Sequence, residues 1–224
     1  MPQVDLQALY QCLLENLGHQ GWWPGETPLE VAVGAILTQN TNWNNVEKAM
    51  ARLKRANALA VEALDRIPQE QLAELIRPAG YFNVKAKRLK NFIHYVKERF
   101  SGDLQACLEQ NTESLRQQLL QISGIGPETA DSIALYAGHH AVFVVDAYTK
   151  RILLRHGWLD EDADYFAIQD FFESNLPTDV ELYNDFHAQI VMVGKNWCKR
   201  SHPDCDRCPL REYLPAGGPL GSDD

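Results

Sequence analysis

No run in this chain of 224 residues approaches the roughly 18 uninterrupted apolar positions of a membrane span, so no transmembrane helix is expected. Met1 to Gln11 carries Asp5 and no basic block followed by an apolar one. No secretory signal is therefore expected, and a cytoplasmic location is the default. Strand patterning is nearly absent: Val142–Val145 is the only strand-like run, too short to build a sheet. There is no internal repeat and no low-complexity block. Cysteine is scarce, at five residues. An odd count without a signal argues against a disulfide framework. What remains is ordinary globular material, 45% apolar and 23% charged, which excludes disorder and collagen-like repeats. The length suits one large domain or two small ones.

Positive charge is also missing where it would be expected for a nucleic-acid partner. The formal charge is −9, from 21 basic and 30 acidic side chains, and phosphate binding needs local positive charge. The deficit is uneven. Asp160 to Asp185 holds nine acidic residues and no Lys or Arg. Lys85 to Phe100 reverses the sign, with Lys85, Lys87, Arg88, Lys90, Lys97 and Arg99 against Glu98. Separated signs can present one basic face despite an acidic total; two solvated helix faces of opposite sign would read the same way.

The apolar spacing is helical nearly throughout. Leu6, Leu9, Tyr10, Leu13 and Leu14 share a face, as do Trp43, Val46, Met50 and Leu53. Leu89, Phe92, Ile93, Val96 and Phe100 do the same in the basic segment and put its charges on the opposite face. Further helices are expected near 112–120, 127–137, 147–155, 164–174 and 179–197, separated by Pro24-Gly25, Pro68, Pro78-Ala79-Gly80, Gly102 and Pro177. The tail from Pro215 to Asp224 is expected to be mobile. The fold class is all-α, with about ten short helices.

Between two of these segments lies Leu120-Gln-Ile-Ser-Gly124-Ile125-Gly126-Pro127-Glu128-Thr129-Ala130. Gly124 and Gly126 allow a tight turn, and Pro127 suits the first turn of the next helix. The N–H groups around Gly126 would point at an anion. A helix-hairpin-helix of this kind grips a phosphate and gives position rather than base specificity; an ordinary packing corner would use similar residues. Twenty residues after Gly126, Asp146 follows an apolar run and opens a helix, the place of an N-cap.

Together these segments resemble the helix-hairpin-helix DNA glycosylases of the endonuclease III superfamily. Ala35 to Thr41 resembles the segment whose glutamine, here Gln39, enters the duplex. Gly80 to Ala86 resembles the wedge loop, with Tyr81 at the wedge position. Asp185-Phe186-His187-Ala188 through Lys195 resembles the helix before an iron–sulfur loop. The resemblance implies a two-domain fold: a six-helix barrel over 27–138 with the hairpin, and a second domain from 1–26 and 139–224. It also implies that the hairpin and Asp146 face each other across a cleft, and that damaged double-stranded DNA is the partner of a monomer. Gly124, Gly126 and Thr129 join Gln39 and Tyr81 as the expected DNA contacts.

In such an enzyme the sugar becomes oxocarbenium-like, so a fixed carboxylate stabilises it and orients or deprotonates water. Asp146 is the residue expected to do this. The base must first leave the stack. Strand-nicking members carry a Lys where this chain has Glu128, and that Lys forms a Schiff base. Glu128 implies a monofunctional enzyme that uses water, although Lys150, one turn after Asp146, is the alternative amine. Trp22-Trp23-Pro24 resembles the aromatic entry to the base pocket of the 3-methyladenine branch, with Glu128 at its edge; a hydrophobic staple and core aromatics would give the same residues. Cationic alkylated purines stack well on Trp. The other readings are a glycosylase for mismatched or oxidised bases, and a non-catalytic DNA-binding module.

Cys198-x6-Cys205-x2-Cys208 matches the first three ligands of a 4Fe–4S loop. The fourth position is Leu214. Three states stay open. The first is a cluster with another ligand, for which Cys12 is a candidate. The second is a zinc site completed by His202, and the third is no metal. Lys199 and Arg200 would reach phosphate or serve as surface charge.

Overall fold

The structure, a computed structural model, describes residues 4–221. The first three residues of Met1–Gln11 and the last three of the Pro215–Asp224 tail lie outside these. Among the described residues the chain is helical with no strand, and it divides into two compact units. One takes the residues up to Trp22 and those from Ala141 onward; the other runs from Trp23 to His140.

The continuous unit holds α2 (Pro28–Thr38), α3 (Trp43–Arg55), α4 (Val61–Arg66), α5 (Gln69–Leu75), α6 (Phe82–Phe100), α7 (Leu104–Leu108), α8 (Thr112–Leu120) and α9 (Pro127–Ser132), which runs on into a π-helical turn, Ile133–Ala137. α2 is apolar on almost every face and eight of its eleven residues are buried, the pattern of a central helix. Its start is set by Thr27, whose hydroxyl accepts from Glu30 N–H, and by Pro28 in the first turn. The short helices α4, α5 and α7 carry too few turns for a visible period, and their spacing did not announce them.

The discontinuous unit holds α1 (Leu6–Leu17), α10 (Ala147–Arg155), α11 (Tyr165–Glu173) and α12 (Val180–Asn196). α10 and α12 pack so closely that a Cβ on Gly194 would come within 2.3 Å of the Tyr148 ring. Val142–Val145 is buried and irregular, with no strand assigned to it. Its backbone is satisfied by side chains of α11 instead: Phe143 N–H donates to Glu173 Oε1 at 2.7 Å, and Phe143 O accepts from Gln169 Nε2 at 2.7 Å. The Phe143 ring stacks on Phe172 with centroids 3.9 Å apart and meets Tyr183 and Phe186 edge-on. Buried β-branched residues with satisfied backbone explain the strand-like signature without a sheet.

Asp185 ties α1 to α12. It accepts from Tyr10 Oη, Gln20 N–H and Gln189 Nε2, and pairs with His19 Nδ1 at 2.9 Å. Burial and this carboxylate push the Tyr10 phenol up to about 12. The acidic run therefore has partly structural duties. Asp164 and Asp179 cap α11 and α12, and Glu173 holds Phe143. The tail is docked where it is described: Leu220 N–H donates to Arg155 O at 2.9 Å, against the mobility expected from its Gly and Pro content.

Gly194→Ala is expected to cost about 1–3 kcal/mol through overpacking against Tyr148, read as a lowered thermal midpoint by circular dichroism. An unchanged midpoint would mean the two helices separate freely.

Candidate functional site

The hairpin is built by alternation. Ile122 and Ile125 are buried and anchor the turn, while Ser123, Gly124 and Gly126 are exposed. Its two helices are clamped by a bidentate ion pair, Arg116 to Asp131, at 2.6 and 3.0 Å. Asp131 is buried, and breaking a buried ion pair costs about 3–5 kcal/mol. Gly124 has φ +97°, and a Cβ there would fall 2.3 Å from Arg88 Cγ. Conformation and close approach both require glycine at this point. Gly126 precedes α9, and no side chain caps that helix.

Gln39 is held against the hairpin. Its Nε2 donates to Gly124 O at 3.1 Å and to Thr129 Oγ1 at 2.9 Å, and its Oε1 accepts from Arg88. Thus Gln39 itself joins Gly124 and Thr129 in one network, and Arg88, which the sequence places only among the basic charges, holds its other end. Tyr81 stands 71% exposed at φ +45°. A left-handed backbone costs a non-glycine residue about 1–2 kcal/mol, so this exposed ring is held out at a cost. Val84, one turn on, is also exposed.

One expectation for α6 is overturned. Its charges do not all lie on the solvent face: Lys85 is 1% exposed, and its Nζ donates to Leu37 O at 2.9 Å and Ala79 O at 2.7 Å. Burial, then the nearby Arg88, pushes its ammonium down to about 8. The signal was present, because Lys85 sits four residues before Leu89 on the same apolar stripe. Lys90 is likewise drawn in, onto the carbonyls of Leu64, Asp65 and Ile67.

Asp146 is the N-cap of α10. Its Oδ1 accepts from Thr149 N–H at 2.7 Å and from Thr149 Oγ1 at 2.9 Å, while Oδ2 lies 3.8 Å from His187 Nε2. Burial pushes the His187 imidazole below its usual range, with Asp146 opposing. His187 had been read only as part of a helix. Lys150, the alternative amine, donates to Ala163 O at 2.9 Å.

The two tryptophans lie in different units. Trp23 meets Trp43 edge-on and Tyr136 at centroid distances of 5.2 and 5.1 Å. Trp22 lines a cavity of about 500 Å³ with Tyr10, His19, Asp179 and Asp185. Asp146, in the same unit as Trp22, does not line it. Pro24 and Glu128 are exposed.

Cys198, Cys205 and Cys208 do converge, on a cavity of about 10 Å³ whose wall includes Leu214. That volume holds about one water. Burial pushes the Cys208 thiol up to about 11. Arg155 organises the loop: its guanidinium donates to Cys198 Sγ and to the carbonyls of Lys199 and Arg200. Cys12 is directed instead at Pro209 O, and the exposed His202 does not line the cavity. Among the described residues no group of three or more His, Cys, Asp or Glu is arranged to hold a metal ion. The donor set is one thiolate short of a closed 4Fe–4S site, and the residues present do not fit one.

Residues 33–178 match the family model of the HhH-GPD superfamily base excision DNA repair protein. A provisionally assigned DNA repair glycosylase of Methanocaldococcus jannaschii is 48% identical over 209 residues, covering 93% of this chain and 94% of its own. Endonuclease III of Sulfolobus acidocaldarius is 28% identical, covering 81% and 78%. Among solved structures, the H. pylori 3-methyladenine DNA glycosylase bound to 1,N6-ethenoadenine superposes with a TM-score of 0.72 at 32% identity, covering 85% of this chain and 95% of that one. A non-covalent endonuclease III–DNA complex superposes at 0.81 with 20% identity, covering 96% and 97%, and so shares the fold. The chain belongs to the HhH-GPD superfamily of base excision DNA repair proteins, with endonuclease III-like glycosylases among its relatives.

Proposed function

We propose that this chain is a monofunctional DNA glycosylase that removes alkylated purines, such as 3-methyladenine, from duplex DNA by hydrolysis. The observation that carries the reading is Glu128 at an exposed position in the first turn of α9, where strand-nicking members carry the nucleophilic Lys, with the carboxylate of Asp146 retained. A carboxylate cannot form a Schiff base. The alternative amine of Lys150 is engaged at Ala163 O. The 32% identity to a 3-methyladenine glycosylase supports the choice of base.

The chemistry follows from how Asp146 is held. One carboxylate oxygen is fixed by the capping bonds from Thr149, so the group cannot rotate away. The other is left for the sugar. Burial disfavours the charged form of the neighbouring His187, so the carboxylate keeps its negative charge available to a developing oxocarbenium ion. The same oxygen can orient the attacking water and take its proton. A purine methylated at N3, as in 3-methyladenine, is cationic in the nucleoside and leaves without a dedicated acid. Trp23, set against Trp43 and Tyr136, supplies an aromatic face for such a cation, and Glu128 favours its charge. The hairpin takes a phosphate, while Tyr81 and Gln39 fill the gap left by the flipped base.

The three-cysteine loop is read as descended from a cluster loop and now held by Arg155. A cluster bound there would rest on Cys198, Cys205 and Cys208 and would serve structure or DNA positioning, so no catalytic step passes through it. Leu214→Cys is expected to raise the iron content of anaerobically purified protein toward about four per chain, with added visible absorbance. About four irons per chain in wild type as well would show that three thiolates suffice.

The decisive test is base release from methylated duplex DNA, analysed by chromatography. Wild type is expected to free 3-methyladenine and leave the strand intact until alkali is added. Asp146→Asn is expected to lose about 10²–10³-fold in release while still binding the duplex. Direct strand nicking by wild type would overturn the monofunctional reading. Release of another base, or none, would overturn the choice of lesion.

A further inference from the structure

Lys85 is not explained by the proposed chemistry. It sits on the buried stripe of α6, 1% exposed, where packing alone would favour Leu or Met. An amine there must be hydrogen-bonded, because an unsatisfied buried cation is costly. It is satisfied by two backbone carbonyls, Leu37 O and Ala79 O. Leu37 lies in the last turn of α2, where helix carbonyls lack partners. Ala79 ends the short turn Arg77–Ala79 ahead of Gly80.

The positions of these carbonyls are informative. Leu37 lies two residues before Gln39, and Ala79 lies two residues before Tyr81. One nitrogen therefore joins the two loops at matching points, each two residues ahead of a side chain read as entering the duplex. Arg88, one turn further along α6, carries the tie on to Gln39 itself, while its stem packs over Gly124. Tyr81 meanwhile keeps a left-handed backbone that needs support from its surroundings.

We propose that Lys85 is a positioning residue that fixes the spacing between Tyr81 and Gln39, so that both enter the duplex together when the base is extruded. It touches neither DNA nor the reacting atoms. A misplacement of about 1 Å in such a pair can cost about 10²-fold in rate. The contacts do not need the positive charge, since a neutral amine keeps two hydrogens for the same two carbonyls. The proposal rests on the reading of Tyr81 and Gln39 as intercalating side chains, and the experiment separates the two.

The probe is a duplex carrying a stable tetrahydrofuran abasic site with 2-aminopurine opposite it, whose fluorescence reports changes in stacking. Wild type is expected to change the signal on binding. Lys85→Met is expected to bind with Kd within about threefold, since its phosphate contacts are intact, yet to lose most of the fluorescence change. Its kcat on methylated DNA should fall about 10–100-fold, counted per folded molecule by circular dichroism. Lys85→Arg, which keeps two donors, should restore part of both. A merely structural role would lower the thermal midpoint and leave the signal per bound molecule unchanged, which would overturn the proposal. Lys85→Leu, which has no donor for either carbonyl, guards against a misfolded Lys85→Met; if it folds and gives the full wild-type change, the proposal also falls. Tyr81→Ala is the control. If it keeps the full signal, the wedge reading fails; if it loses the signal while the Lys85 variants keep it, only the role of Lys85 fails.

Discussion

A helical protein without a sheet has no ladder to satisfy the polar backbone of its irregular segments, and side chains must do it. Three regions of this molecule depend on that constraint. The irregular run before Asp146 is held at Phe143 by Glu173 and Gln169. The ends of α2 and of the Arg77–Ala79 turn are held by Lys85. The cysteine loop is held by Arg155. In each case a residue with ordinary surface chemistry is drawn inward because carbonyls or N–H groups there have no helical partner. Each bond contributes only about 0.5–1.5 kcal/mol net, but leaving the buried group unpaired costs more. The segments so held are the ones that carry the candidate chemistry.

The same constraint changes the meaning of the acidic total. Asp5, Asp103, Asp146, Asp164 and Asp179 each cap a helix. Asp185 and Glu173 hold together one unit, and Asp131 locks the hairpin. These carboxylates face N–H groups, a guanidinium or hydroxyls. Net charge is therefore a poor guide to the surface a phosphate would meet, and an acidic protein can still expose the N–H groups of a hairpin. Asp146 combines both duties, since the bonds that make it a cap also fix its orientation.

In the cysteine loop, a spacing suited to a cluster persists around a guanidinium, a leucine and a small cavity. Burial pushes the Cys205 and Cys208 thiols above their usual range, because a low-dielectric surrounding disfavours the thiolate. The loop keeps its place through Arg155 and the packing of Leu210, which is fully buried.

Local signals in the sequence determined much of this molecule. Helical periods set the bounds of α8 and α10, and glycines with a following proline set the hairpin. Asp146 was legible as a cap because an acidic residue after an apolar run has few other uses. Its candidate catalytic role came from the order of motifs. Tertiary structure decided the rest. Short helices such as α4 and α7 hold too few residues to show a period. The pairing of Gln39 with Gly124 spans 85 positions, and the joining of Leu37 to Ala79 by one amine depends on a fold that periodicity cannot supply. Lys85 marks the boundary between the two. Its register on the apolar stripe was written in the sequence, but a lysine can bury there only because folding brings two unpaired carbonyls to its nitrogen.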